Sequence, residues 1–97
     1  NIVFVRATGL SMKAKMEAGI DDGDILAVER TGFARPGDVV VAEINGEFTI
    51  KRLKHHHNGL YLVPANTDYP ICRVTRTDSF SVWAVVSYVV HKMRRAA

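Results

Sequence analysis

The chain has a single cysteine, Cys72, in 97 residues. An intrachain disulfide is therefore excluded, and no cysteine cluster exists to hold a metal ion. Such sparing use of cysteine fits a reducing compartment. Long apolar runs are missing as well. The longest, Val82 to Val90, is interrupted by Ser87 and Tyr88 and falls short of the roughly 20 residues that a membrane helix needs. No stretch has signal-peptide organisation. Aromatic residues make up only 8%, and along the chain they do not alternate with basic residues as in a stacking platform for nucleic acid. Neither sign of charge dominates. The net charge of +3 permits nucleic acid or an acidic partner and demands neither. Helical signals are scarce, and there is no internal repeat, low-complexity stretch or linker.

What is present is a series of short β-branched and aromatic runs. Ile2 to Ala7, Ile25 to Val28, Val39 to Ile44, Gly46 to Leu53, Leu60 to Val63, Ile71 to Val74 and Phe80 to Val90 all read as strands. The last is long enough to carry a bulge. Asn45–Gly46 is the strongest hairpin signal in the chain, and Lys54 to Gly59 reads as a polar link ending in a second Asn-Gly turn. Seven or so short strands with frequent turns predict an all-β sandwich or partly open barrel. The length predicts one domain, residues 1–97.

Two residues stand out chemically. Ser11 lies in the small-residue turn Gly9–Leu10–Ser11–Met12, just before Met12 to Ala18, the only helix-forming stretch. As an N-cap it would stabilise that short helix by about 1 kcal/mol. As a nucleophile it would have backbone N–H groups and a positive helix end beside it to hold an oxyanion. Lys51 sits inside a strand otherwise built from Phe48, Thr49, Ile50 and Leu53. Alternation puts Lys51 on one face and its neighbour Arg52 on the other. Parity alone does not say which of them faces a cleft. Arginine stays protonated and cannot act as a base, whereas a desolvated lysine can. No acid–histidine pair offers itself to activate the serine, so a Ser–Lys couple is the candidate. The plainer alternative is a capped helix and a surface lysine.

Two other patterns carry less. The carboxylates of Asp21, Asp22 and Asp24 lack the order of a calcium loop and have no closing Glu, so they read as turn chemistry. His55, His56 and His57 are consecutive, and neighbouring side chains on a strand or turn diverge, so they read as a solvated tip rather than a metal site. No cofactor is expected.

Taken together, the pieces resemble the catalytic domain of the LexA/UmuD family of self-cleaving serine peptidases. Gly9 to Met12 resembles its Gly-x-Ser-Met signature. Gly19–Ile20 followed by Asp22–Gly23–Asp24–Ile25–Leu26 is similar to its Gly-Ile-x-x-Gly-Asp-Leu-Leu segment. Pro36 to Ala42 resembles the next strand, and Gly46 to Leu53 the segment with the catalytic lysine, placing Lys51 there. Leu62–Val63–Pro64–Ala65–Asn66 matches its Leu-x-Pro-x-Asn stretch. Gly46 to Thr49 and Val85 to Arg94 are closer to the UmuD branch. The six residues Lys13 to Ala18 make the segment after Ser-Met longer than is usual in the family.

The resemblance implies a small all-β peptidase and dimerisation domain with one short helix after Ser11. Ser11 would be the nucleophile and Lys51 the general base. The family's scissile Ala-Gly or Cys-Gly bond lies upstream of the serine, and the chain opens at Asn1, so the cleaved N-terminal arm is expected to be absent. Further implications are a bacterial cytoplasmic location, a homodimer, stimulation by a RecA–single-stranded DNA filament, and a UmuC-like partner in an error-prone translesion polymerase. Sequence-specific DNA binding by this domain is not expected. The alternative is the C-terminal domain of a LexA-like repressor.

Overall fold

The computed structural model describes residues 1–7, 20, 23–64 and 70–91. The expected helix after Ser11, part of the Asp-rich turn and the basic tail from Lys92 lie outside these residues.

Seven strands are present: β1 (Ile2–Arg6), β2 (Ile25–Glu29), β3 (Val39–Ile44), β4 (Glu47–His56), β5 (Gly59–Val63), β6 (Cys72–Val74) and β7 (Phe80–Val90). All pair antiparallel in one sheet of order β1-β2-β7-β3-β4-β5-β6. The all-β expectation holds. The sheet also curls. One cavity of about 330 Å³ is bordered both by Val5 from β1 and by Phe48 and Ile50 from β4, although β2, β7 and β3 lie between those strands.

Two apolar clusters occupy opposite sides of the sheet. On the inner face of the curl, Leu26, Val28, Val41, Ile50 and Ala84 pack with Ala7 and Ile20. On the outer face, Val40, Ala42, Leu53 and Leu62 form a second cluster, joined by Ala34, Leu60, Val74 and Val85. Register explains the division: Val41 pairs with Ile50, whereas Val40 pairs with Lys51 and Ala42 with Thr49. The inner cluster covers the β1 side of the sheet and the outer cluster the β6 side. Among the described residues, each half therefore leaves one face uncovered.

Strand β7 links the halves, pairing with β2 and with β3. It contains two bulges. Ala27 and Val28 face Tyr88 and Val86, skipping Ser87. Val41 and Ala42 face Ala84 and Val82, skipping Trp83. The displaced Trp83 packs on the inner cluster and meets the Phe48 ring edge-on at 6.5 Å. The Arg30 guanidinium lies 4.1 Å from the Trp83 ring centroid, and its Nε donates to the Trp83 carbonyl at 2.9 Å.

The β3–β4 turn follows the sequence expectation, with Asn45 at φ 52° and Gly46 at φ 87°, the left-handed pair that a tight hairpin requires. The β4–β5 connection does not. Strand β4 continues through Lys54, His55 and His56, paired with Tyr61, Leu60 and Gly59. The turn residues are His57 and Asn58, at φ 48° and 61°. Cross-strand pairing with β5 overrides the polar composition that reads as a link.

The β6–β7 turn is tied to the β3–β4 turn. Asp78 accepts from the Asn45 side-chain amide at 2.9 Å and from the Thr75 N–H at 2.8 Å. The Ser79 N–H donates to Asn45 Oδ1. Asn45 first, then Thr75, hold the Asp78 carboxyl below its ordinary range. A lowered carboxyl pKa stabilises the fold above the unfolded value, and that contribution disappears as pH falls through the folded value. Asp78→Asn is therefore expected to flatten the acid limb of a plot of stability against pH. Urea melts of both proteins across that limb check it, and parallel curves would exclude the effect.

Candidate active site

Lys51 lies mid-strand in β4, half-buried, on the outer face opposite Val40. Val40 is fully buried and Leu53, next along that face, nearly so. The lysine therefore emerges beside the outer apolar cluster. Thr49 precedes it on the same face.

Arg52 projects to the opposite side, as alternation requires. Its guanidinium donates to the Gly37 carbonyl at 2.5 Å. The same turn is held by two backbone bonds, Gly37 N–H to Leu53 O and Leu53 N–H to Asp38 O. Arg52 is thus engaged in binding the Pro36–Gly37 turn to β4. Of the two adjacent cations, Lys51 is the one placed against apolar walls.

Ser11, the proposed nucleophile, lies outside the described residues, as do Gly9, Met12 and Gly19. The chain on either side of it is fixed. The Ala7 N–H donates to the Asp24 carbonyl at 2.8 Å, and the Gly23 N–H to the Ala7 carbonyl at 2.7 Å. Residues 7 and 24 are thereby clamped together at the base of the segment that carries Ser11. Asp24 also has a buried carboxylate, 2.6 Å from Nδ1 of His91. In sequence it passes as an ordinary turn residue; here it ties the end of β7 to this base. The inner-face cavity bounded by Val5, Phe48 and Ile50 lies on the side of the sheet opposite Lys51.

Among the described residues no group of three or more His, Cys, Asp or Glu is placed to hold a metal ion. The rings of His56 and His57 contact each other edge-on with centroids 3.9 Å apart. No described helix is long and apolar enough to cross a membrane.

The family model described as Peptidase S24-like matches residues 1–87. The chain belongs to the peptidase S24-like family. This agrees with the LexA/UmuD motifs and with the serine-type self-cleaving activity that they imply at family level. Among S24-like relatives, the LexA repressor of Delftia acidovorans is 44% identical over 79 residues, covering 81% of this chain and 34% of the repressor. The LexA repressor of Paracidovorax citrulli is 42% identical over a stretch of the same length. Protein ImpA of Salmonella typhimurium is 40% identical over 91 residues, covering 94% of this chain and 59% of ImpA. This S24-like domain thus spans less than two thirds of each of these relatives.

Proposed function

We propose that residues 1–97 form a single peptidase and dimerisation domain that cuts a peptide bond with a Ser11–Lys51 dyad. The observation that carries this reading is the position of Lys51, half-buried against Val40 and Leu53. Neutral Lys51 Nζ takes the proton of Ser11 Oγ as the oxygen attacks the scissile carbonyl. The resulting ammonium returns the proton to the leaving amine, and water hydrolyses the acyl-enzyme. Backbone N–H groups around Ser11 hold the oxyanion.

The substrate in this reading is the protein's own N-terminal arm, cut under stimulation by a RecA–single-stranded DNA filament during the SOS response to DNA damage. The shortened product then serves with a UmuC-like subunit in error-prone translesion synthesis in the bacterial cytoplasm. The UmuD-like motifs of β4 and β7 support it, as does the longer reach of the ImpA likeness. The second reading, the C-terminal domain of a LexA-like repressor, is favoured by the higher identity to LexA repressors. The deciding experiment mixes this domain with its natural full-length protein carrying Ser11→Ala. Products are read by mass spectrometry across a pH series. One cut upstream of position 11, faster as pH rises, supports the dyad; no cut at alkaline pH or with filament added refutes it. A short released arm supports the UmuD-like parent, and a released DNA-binding domain the repressor.

Self-association is part of the proposal. The outer face of β1, β2 and β7, which no described residue covers, presents Phe4 and Tyr88, 68% and 73% exposed, with Ile2 and Val90 beside them. Phe4 and Tyr88 both pair with Ala27, so they flank one residue on neighbouring strands. A patch of this kind is what a second copy would cover. The double variant Phe4→Asp/Tyr88→Asp is expected to be monomeric by light scattering at concentrations where the parent is a dimer. A dimer that survives both changes places the interface elsewhere.

A further inference from the structure

We propose that the inner face of β4, β5 and β6, which no described residue covers, binds single-stranded nucleic acid. Register brings Lys54, Tyr61 and Arg73 into one row across the three strands. An aromatic ring thus lies between two cations, an alternation invisible along the chain because its members come from three strands. The Arg73 guanidinium is 5.9 Å from the Tyr61 ring centroid. Tyr61 extends over Gly59, where an added Cβ would stand 2.9 Å from its ring. The glycine makes room for the ring to lie along the sheet, half-exposed. His56 follows Lys54 on the same face, paired with Gly59. A cleft of about 570 Å³ lies at the end of β5 and β6, lined by Asn58, Gly59, Leu60, Arg73, Val74 and Arg76, so Arg73 borders both the cleft and the row.

Charge is concentrated here. Between positions 52 and 76 the sequence has Arg52, Lys54, Arg73 and Arg76 against one acid, Asp68. The described acids that flank this region are engaged in their own turns: Asp38 accepts the Arg35 N–H and Asp78 the Thr75 N–H. Lys54 and Arg73 stand two strand spacings apart, about 10 Å. A flexible strand crosses that distance with phosphates on the cations and one base on Tyr61. A duplex keeps its bases stacked inside and gains nothing from the ring. Side-chain chemistry here reads no base edge, so binding is expected to be sequence-tolerant.

Fluorescence anisotropy at low salt tests this with labelled oligo-dT, oligo-U, a DNA duplex and polyglutamate. Oligo-dT or oligo-U is expected to bind more tightly than duplex, and their ratio tells DNA from RNA. Tyr61→Leu is expected to weaken binding roughly 5- to 150-fold, and Tyr61→Phe to preserve it. Arg73→Gln is expected to reduce the slope of log affinity against log salt by about 0.7, the share of one single-strand phosphate. No binding, binding indifferent to Tyr61→Leu, or equal affinity for duplex or polyglutamate overturns the proposal. Circular dichroism melts exclude misfolding, and the exposed Lys54→Gln provides an independent variant. Peptidase activity is not read in this experiment, so its outcome is separate from that of the dyad.

Discussion

Lys51→Arg is expected to stop self-cleavage as completely as Lys51→Ala. Arginine preserves the charge, most of the length and much of the apolar stem, yet it does not deprotonate near neutral pH. If Lys51 only positioned a substrate or balanced a charge, arginine would substitute for it. If Lys51 takes the serine proton, arginine fails. Loss of a general base of this type costs about 10²- to 10⁴-fold in rate. The wild-type rate should climb with pH until the amine is fully neutral. Arg52→Ala serves as the counterpart. That guanidinium holds the Gly37 carbonyl from the other face, so its loss should lower stability and leave the pH profile in place. Mass spectrometry of single-turnover cleavage gives the rates. Activity in Lys51→Arg within about tenfold of wild type would remove lysine from the base role.

The second large effect concerns stability. Leu26 is fully buried in the inner cluster, and Leu62 is 1% exposed in the outer one. Each Leu→Ala change is expected to cost about 2–5 kcal/mol, because rigid sheet neighbours collapse poorly into the space left. Against a total of about 5–15 kcal/mol, either change is severe. The two clusters share no member and no peripheral partner. The losses should therefore add to within about 0.5 kcal/mol in the double variant, as for independent sites. Urea denaturation of the four proteins gives the comparison. A strong interaction energy would mean that the two sides of the sheet behave as one core.

Much of this was legible in the sequence, because antiparallel strands with one covered face announce themselves through β-branched residues and turn chemistry. All seven strands fall where the apolar runs are, and Asn45–Gly46 forms the turn its residue types require. The misses have one cause. The Lys54–His56 stretch is polar, and only its pairing with Gly59–Tyr61 makes it a strand. The same pairing sets Tyr61 between Lys54 and Arg73, which no reading along the chain can find. At the candidate active site, alternation separates Lys51 from Arg52 but leaves open which side each occupies. That depends on Val40 and Leu53 meeting above one face and on the Pro36–Gly37 turn lying at the other. Ser11 lies outside the described residues, and its role rests on the motif around it.

The two bulges of β7 act as phase corrections in a code of period two. Val82 pairs with Ala42 on the outer face, Ala84 with Val41 on the inner, and Tyr88 with Ala27 on the outer again. Residues of the same parity thus change sides twice within one strand. This lets a single continuous segment supply apolar side chains to whichever side its neighbours bury, first with β3 and then with β2. It also makes the strand's tolerance of a length change depend on where the change falls. Removing Ser87 would restore simple alternation and leave Val89 packed inward opposite Leu26, whereas removing a paired residue such as Val85 would turn the residues after it to the other side. Substitutions in β7 are absorbed locally, whereas deletion of a paired residue shifts the frame of everything beyond it.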